Sequence, residues 1–154
     1  MDEKWSPPKW MYRETTLKKD FEFFENLTYC IFQAGLNWKV VENKWSNIVK
    51  VFSNFDLDVV SDYDDDDIKR LLNDSGIIRN RNKIKATIHN ANEFKCITQK
   101  HGNFRNWLNS MDKSRNYGLA VKELQGIFKH VGPNTAHIFL FSIGEDIKYN
   151  ETIH

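Results

Sequence analysis

Apolar residues recur along most of this chain at three- and four-residue spacing, the period of a helix buried on one side. From Thr16 the pattern is helical, with Phe23, Phe24, Leu27 and Ile31 on one face, and Gly35 ends it. Asn37 is placed to cap the next helix, whose stripe runs Trp38, Val41, Trp45, Ile48 and Phe52. Asp56 and the acidic run at 62–67 open short helices, with Ile68, Leu71 and Leu72 facing inward, and Asp74-Ser75-Gly76 is a turn. A long helix follows, carrying Ile84, Ile88, Ala91, Phe94 and Cys96, until His101-Gly102-Asn103 breaks it. Phe104, Trp107 and Leu108 make a short helix and 119–128 another. Val131-Gly132-Pro133-Asn134 turns tightly, and 135–143 is helical again. No segment reads as a strand, a repeat or a linker. The expected fold is all-α, about eight helices with short connections. It forms a single domain over 1–154, with an irregular arm at 1–14 where Pro7-Pro8 lies among Trp5, Trp10 and Tyr12.

Composition narrows the function classes. The 154 residues are 40% hydrophobic and 28% charged, a balance that supports a core and argues against disorder. No apolar run is long enough to span a membrane, and no apolar stretch follows Met1-Asp2-Glu3-Lys4-Trp5, so neither a membrane span nor a signal peptide is expected. Cys30 and Cys96 lack a pairing pattern, which excludes a disulfide scaffold and a four-cysteine zinc site. An intracellular, cytoplasmic location is expected, associated with the nucleoid if the source is prokaryotic.

The net charge of +1 conceals an asymmetry. Residues 1–67 hold 8 Lys/Arg and 14 Asp/Glu, a net of −6, whereas residues 68–137 hold 13 and 4, a net of +9. Such a basic block suits a phosphate-binding face, or equally a set of solvated helix faces. The acidic run 62–67 lacks the alternating ligands and glycine of a calcium loop and is expected to start a helix, where carboxylates suit the dipole.

The segment from Leu124 to Leu140 resembles a helix-hairpin-helix unit, over 119–143 in all. Gly132 lets an anion approach the backbone. The amides of the turn and of the helix start, at Asn134 and Thr135, have no partner in the helix, so a phosphate can satisfy them. The usual hairpin has two glycines, and His130 stands at the first position here. The plainer alternative is a turn capped by Asn134 or Thr135.

Phe32-Gln33-Ala34-Gly35-Leu36-Asn37-Trp38 closely resembles the Gln-Ala-Gly-Leu-Ser-Trp signature of the 3-methyladenine DNA glycosylase I family. The stretches 76–84 with Asn90-Ala91, and Phe128-Lys129-His130-Val131-Gly132, continue the resemblance in order, over about residues 20–145. It implies a helix-hairpin-helix glycosylase architecture and cleavage of the N-glycosidic bond of alkylated adenine in duplex DNA, on a base turned out of the helix. An alkylated adenine is cationic and is drawn to aromatic faces. The resemblance makes Trp38 the base-stacking residue, with Tyr12 and Trp10 beside the pocket. It makes Leu36 a wedge entering the stack that the base has left. Arg79, Arg81 and Lys83 lie at a helix start in the basic block, where they are placed to contact backbone phosphates. The competing roles are core packing for Trp38, a loop contact for Leu36 and solvated surface for the basic residues.

Three features depart from that family. The acidic residue three positions before the Gln, inside the base pocket, is Cys30 here, which reads as a small buried hydrophobe. The family's Cys and His zinc ligands are missing: the N-terminal region has neither, and the tail has His154 without a cysteine, so no metal and no other cofactor are expected. The chain is also shorter than the usual member. Two carboxylates can take over the chemistry. Glu42 stands one turn after Trp38 on the same face, and Glu151-Thr152 falls where related helix-hairpin-helix glycosylases carry Asp-Thr. Asp146 is a weaker third. No lysine occupies a nucleophile position, so a monofunctional glycosylase using water is expected. The protein is expected to be a monomer. The alternatives are an inactive DNA-binding module and a glycosylase for another lesion.

Overall fold

The computed structural model describes Leu17 and residues 19–148, and these are all-helical. The elements are α1 (Asp20–Gln33), α2 (Trp38–Val51), a 3-10 turn (Ser53–Phe55), α3 (Leu57–Ser61), α4 (Asp65–Leu72), α5 (Arg81–His101), α6 (Phe104–Ser110), α7 (Ser114–Ile127) and α8 (Pro133–Ser142). The arm residues Trp10 and Tyr12, and the tail residues Glu151 and His154, lie outside the described residues.

The helix starts follow the expected chemistry. Asn37, Asp56, Asp64, Asn80 and Asn103 each accept a backbone amide two or three residues on. The acidic run serves α4: Asp64 and Asp67 cap each other's amides while Asp65 and Asp66 fill the first turn. The start of α7 departs from expectation. Arg115, Asn116 and Tyr117 hold positive φ angles of 54, 51 and 66°, so the regular helix begins only after them. The amide of Lys148 donates to Asn116 Oδ1, and Tyr117 Oη accepts from the Asp146 amide, so this irregular turn anchors the segment after α8.

α1 and α8 are buried on most sides, polar Asn26, Thr28, His137 and Ser142 included, and both lie inside the molecule. α1 packs on α2, α5, α6 and α8. Phe23, Phe104, Phe94 and Phe128 form a chain of rings in the core, with successive centroids 4.7–5.1 Å apart. α5 is the longest helix and makes contact with α1, α3, α4 and α6. Besides its apolar stripe it buries three polar residues in one row, Lys83, Thr87 and Asn90. Lys83 Nζ donates to the carbonyls of Phe32 and Ala34 at the end of α1. Two turns along, about 10 Å, Asn90 donates to the Lys129 carbonyl and accepts from the Lys129 amide. One helix thus fixes both the α1–α2 turn and the α7–α8 hairpin. No helix among the described residues is long and apolar enough to cross a membrane.

Candidate nucleic-acid interface and base site

The turn between α1 and α2 and the start of α2 carry three exposed large apolar side chains close together in the chain. Gly35, at φ 78°, reverses the chain, and the Leu36 amide closes the turn onto the Gln33 carbonyl. Leu36 is 44% exposed, Trp38 40% and Val40 44%. Trp38 is therefore no core residue, although its stripe continues inward through Val41 and Ile48. Lys39 lies over its ring at 5.8 Å.

Two turns along α2 from Trp38, Trp45 meets a mixed cluster on α1. The Tyr29 ring packs on Trp45, with centroids 4.3 Å apart. Burial pushes the Tyr29 hydroxyl far above its usual range, and the Glu42 carboxylate and then Cys30 add to the effect. Glu42 is partly buried, one turn along from Trp38. Glu25 joins the cluster from α1. Its Oε2 accepts the Trp45 Nε1 proton at 3.0 Å, and burial raises its pKa despite that bond, with Glu22 adding to the rise. Sequence reasoning missed Glu25 and Tyr29. The available signal was Glu25 standing one helical turn before Tyr29, on a helix that also carries Phe23, Phe24 and Leu27.

Cys30 is fully buried and faces α8, with Sγ 4.0 Å from Ser142 Oγ. Burial raises its thiol strongly, so it is neutral and no thiolate replaces a carboxylate. Ser142 donates to the Phe139 carbonyl and accepts from Asn26 Nδ2, while Asn26 Oδ1 has no partner among the described residues. Asp146 is exposed at the far end of α8. Its neighbour Glu145 is buried between Lys113 Nζ at 2.7 Å, Arg105 Nη1 at 3.3 Å and the Tyr117 hydroxyl at 3.2 Å. Glu145 thus ties α6 and α7 to the end of α8.

The hairpin takes a form suited to an anion. His130 holds the left-handed conformation, φ 61°, at the position of the expected first glycine. Gly132 sits at φ −86°, so a β-carbon is tolerated there conformationally and would meet no atom within 4 Å. The absent side chain instead leaves open space over the turn. Pro133 begins α8 and no side chain caps it, neither Asn134 nor Thr135. Asn134 is exposed and Thr135 is buried, while Lys129 and His130 flank the turn at the surface. Arg79 and Arg81 are exposed around the start of α5. Lys83 differs from them, because its ammonium is buried and already holds two carbonyls, and burial lowers its pKa.

The methyladenine glycosylase family profile matches residues 2–129. DNA-3-methyladenine glycosylase 1 of Escherichia coli K12 is 39% identical over 100 residues, 64% of this chain. That match spans about half, 48%, of the relative's length. The DNA-3-methyladenine glycosylase of Haemophilus influenzae is 23% identical over 93% of this chain and 83% of its own. A crystal structure of 3-methyladenine DNA glycosylase I superposes with a TM-score of 0.72 at 28% identity, covering 84% of this chain and 81% of that one. The Staphylococcus aureus enzyme shares the fold at a TM-score of 0.77 and 22% identity, over 92% of this chain and 85% of its own. With the profile covering most of the sequence and the all-helical fold in agreement, the chain belongs to the methyladenine glycosylase family.

Proposed function

We propose that this protein is a monofunctional DNA glycosylase of base excision repair, hydrolysing the N-glycosidic bond of alkylated purines, chiefly 3-methyladenine. The observation that carries the reading is the exposed Leu36–Trp38 turn with the partly buried Glu42 one helical turn behind it. An adenine alkylated at N3 is a cation in DNA, so when the bond from C1′ breaks, the electron pair leaves with the base and neutralises it. The leaving group needs no proton. What remains is to attract the cation, support positive charge at the sugar and deliver water. Trp38 offers the aromatic face. Glu42 supports the sugar cation and takes the proton of the water whose oxygen bonds to C1′. Glu151, beyond the described residues, is the second carboxylate for this role, and Tyr12 and Trp10 remain candidates for the pocket wall, with Cys30 at its base.

Duplex DNA is the partner, reached by Leu36 as wedge and by Arg79, Arg81 and the hairpin amides of Gly132, Asn134 and Thr135 as phosphate contacts. The protein acts as a monomer, inside the cell and without a metal or cofactor. The test is release of free base from methylated duplex DNA by wild type, Glu42→Gln and Glu151→Gln, with chromatography identifying the base. Release of 3-methyladenine that one variant abolishes supports the reading and names the carboxylate. A second reading is a DNA-binding module or a glycosylase for another lesion, favoured by the neutral, buried Cys30 at the position of the acid. It predicts salt-sensitive DNA binding without 3-methyladenine release.

A further inference from the structure

We infer that Lys83 is a positioning residue that locks the Leu36 turn for base extrusion, and is not a phosphate contact; the inference rests on the glycosylase reading above. α1 ends in a tight turn: Ala34 leaves the helix at φ −59° and ψ 122°, and the left-handed Gly35 brings the Leu36 amide onto the Gln33 carbonyl alone. Its last turn has no basic residue of its own. The final carbonyls of α1 carry the negative end of its dipole and need donors. Lys83, far along the sequence on α5, supplies them: Nζ lies 3.2 Å from the Phe32 carbonyl and 2.9 Å from that of Ala34. The two bonds straddle Gln33, whose own carbonyl accepts the Leu36 amide. Three consecutive carbonyls at the root of the turn are thereby fixed.

The ammonium is also committed. Lys83 is buried, no carboxylate among the described residues forms an ion pair with it, and its backbone amide is held by Asn80 between the exposed Arg79 and Arg81. The same residue therefore sets the wedge-bearing turn relative to the arginines at the start of α5. A wedge that must enter a base stack works only if it cannot swing away, and a small misplacement at such a site costs rate steeply.

The test compares Lys83→Met, Lys83→Gln, Leu36→Ala and the double variant that combines Lys83→Met with Leu36→Ala. Hydrogen exchange at the amides of 34–38 reports on the turn. Fluorescence of a 2-aminopurine beside the lesion reports on extrusion, and the salt dependence of undamaged-duplex affinity reports on phosphate contacts. For Lys83→Met the expected result is faster exchange at 34–38, extrusion and base release lower by about tenfold to a hundredfold, and an unchanged salt slope. In the Leu36→Ala background it adds little, because it acts through that turn. Lys83→Gln keeps one donor, is expected to fall between wild type and Lys83→Met, and serves if Lys83→Met does not fold. A salt slope reduced by about one makes Lys83 a phosphate contact and overturns the inference, as do unchanged exchange or losses additive with Leu36→Ala. If wild type releases no base, the glycosylase reading fails, while exchange and extrusion still decide whether Lys83 holds the turn.

Discussion

A partly buried carboxylate changes the electrostatics of everything near it. Glu25 is such a group: Trp45 donates to it, yet burial still raises its pKa above the usual carboxylate value. A carboxyl group whose pKa is higher folded than unfolded binds more protons in the native state. Stability then falls as pH rises from the unfolded value of 4.5 through the raised folded one, and the cost is full above that. Glu25→Gln, which keeps an acceptor for Trp45, is expected to raise stability at pH 7 and to leave it unchanged at low pH. Denaturant melts at the two pH values check this, and equal melts of wild type and variant at pH 7 contradict it. Single residues were unevenly legible in the sequence. Cys30 was readable as a small buried hydrophobe because its neighbours on α1 are apolar. Lys83 was not, because a lysine at a helix start reads as surface unless the carbonyls it will meet are known, and those lie about 50 residues away.

At the scale of elements, the hairpin separates conformational need from functional need. His130 occupies the left-handed region, where glycine carries no penalty, so His130→Gly is expected to stabilise the fold by about 0.5–1 kcal/mol. Gly132 has ordinary φ and open space around it, so Gly132→Ala is expected to hold stability within about 0.5 kcal/mol while weakening duplex affinity several-fold. Thermal melts and titrations with duplex DNA measure the two effects. A Gly132→Ala protein that unfolds, or binds DNA undiminished, contradicts this account. Helix positions followed from periodicity and capping residues almost throughout, since Asn37, Asp56 and Asp64 of the acidic run are caps in fact as well as pattern, and the structure adds Asn80. The left-handed run Arg115–Tyr117 escaped, because none of its residues is a glycine and the cause is tertiary: Asn116 and Tyr117 reach across to the segment after α8. The polar row Lys83, Thr87 and Asn90 escaped for a related reason. Pattern reading assigns polar residues to solvent, whereas here Lys83 and Asn90 satisfy backbone groups of two other segments.

The whole molecule divides its charge, with a net of −6 over residues 1–67 and +9 over 68–137. The acidic half contributes Glu22, Glu25 and Glu42 around the aromatic cluster, which suits a cationic base. The basic half contributes the start of α5 and the hairpin, which suit phosphates. Duplex affinity should therefore fall with salt, with a log–log slope of about −0.9 for each phosphate contacted. Arg79→Ala and Arg81→Ala should each reduce that slope by about one, and slopes equal to wild type would remove these arginines from the interface. Leu36, Trp38 and Glu42 were all legible from a short signature and helical spacing, because they lie within seven residues of one another. The contacts around them were not, since Tyr29 and Glu25 meet Trp45 across the α1–α2 packing and Lys83 comes to the turn from α5.

The central claim is that this protein severs the glycosidic bond of alkylated adenine with the help of the carboxylate behind Trp38. The most direct measurement is the initial rate of base release from methylated duplex DNA by wild type and Glu42→Gln, with the product identified. The account predicts free 3-methyladenine from wild type and a loss of about a hundredfold or more in the variant, with duplex affinity retained. Release of no base, or of 3-methyladenine at equal rates by both proteins, would contradict it.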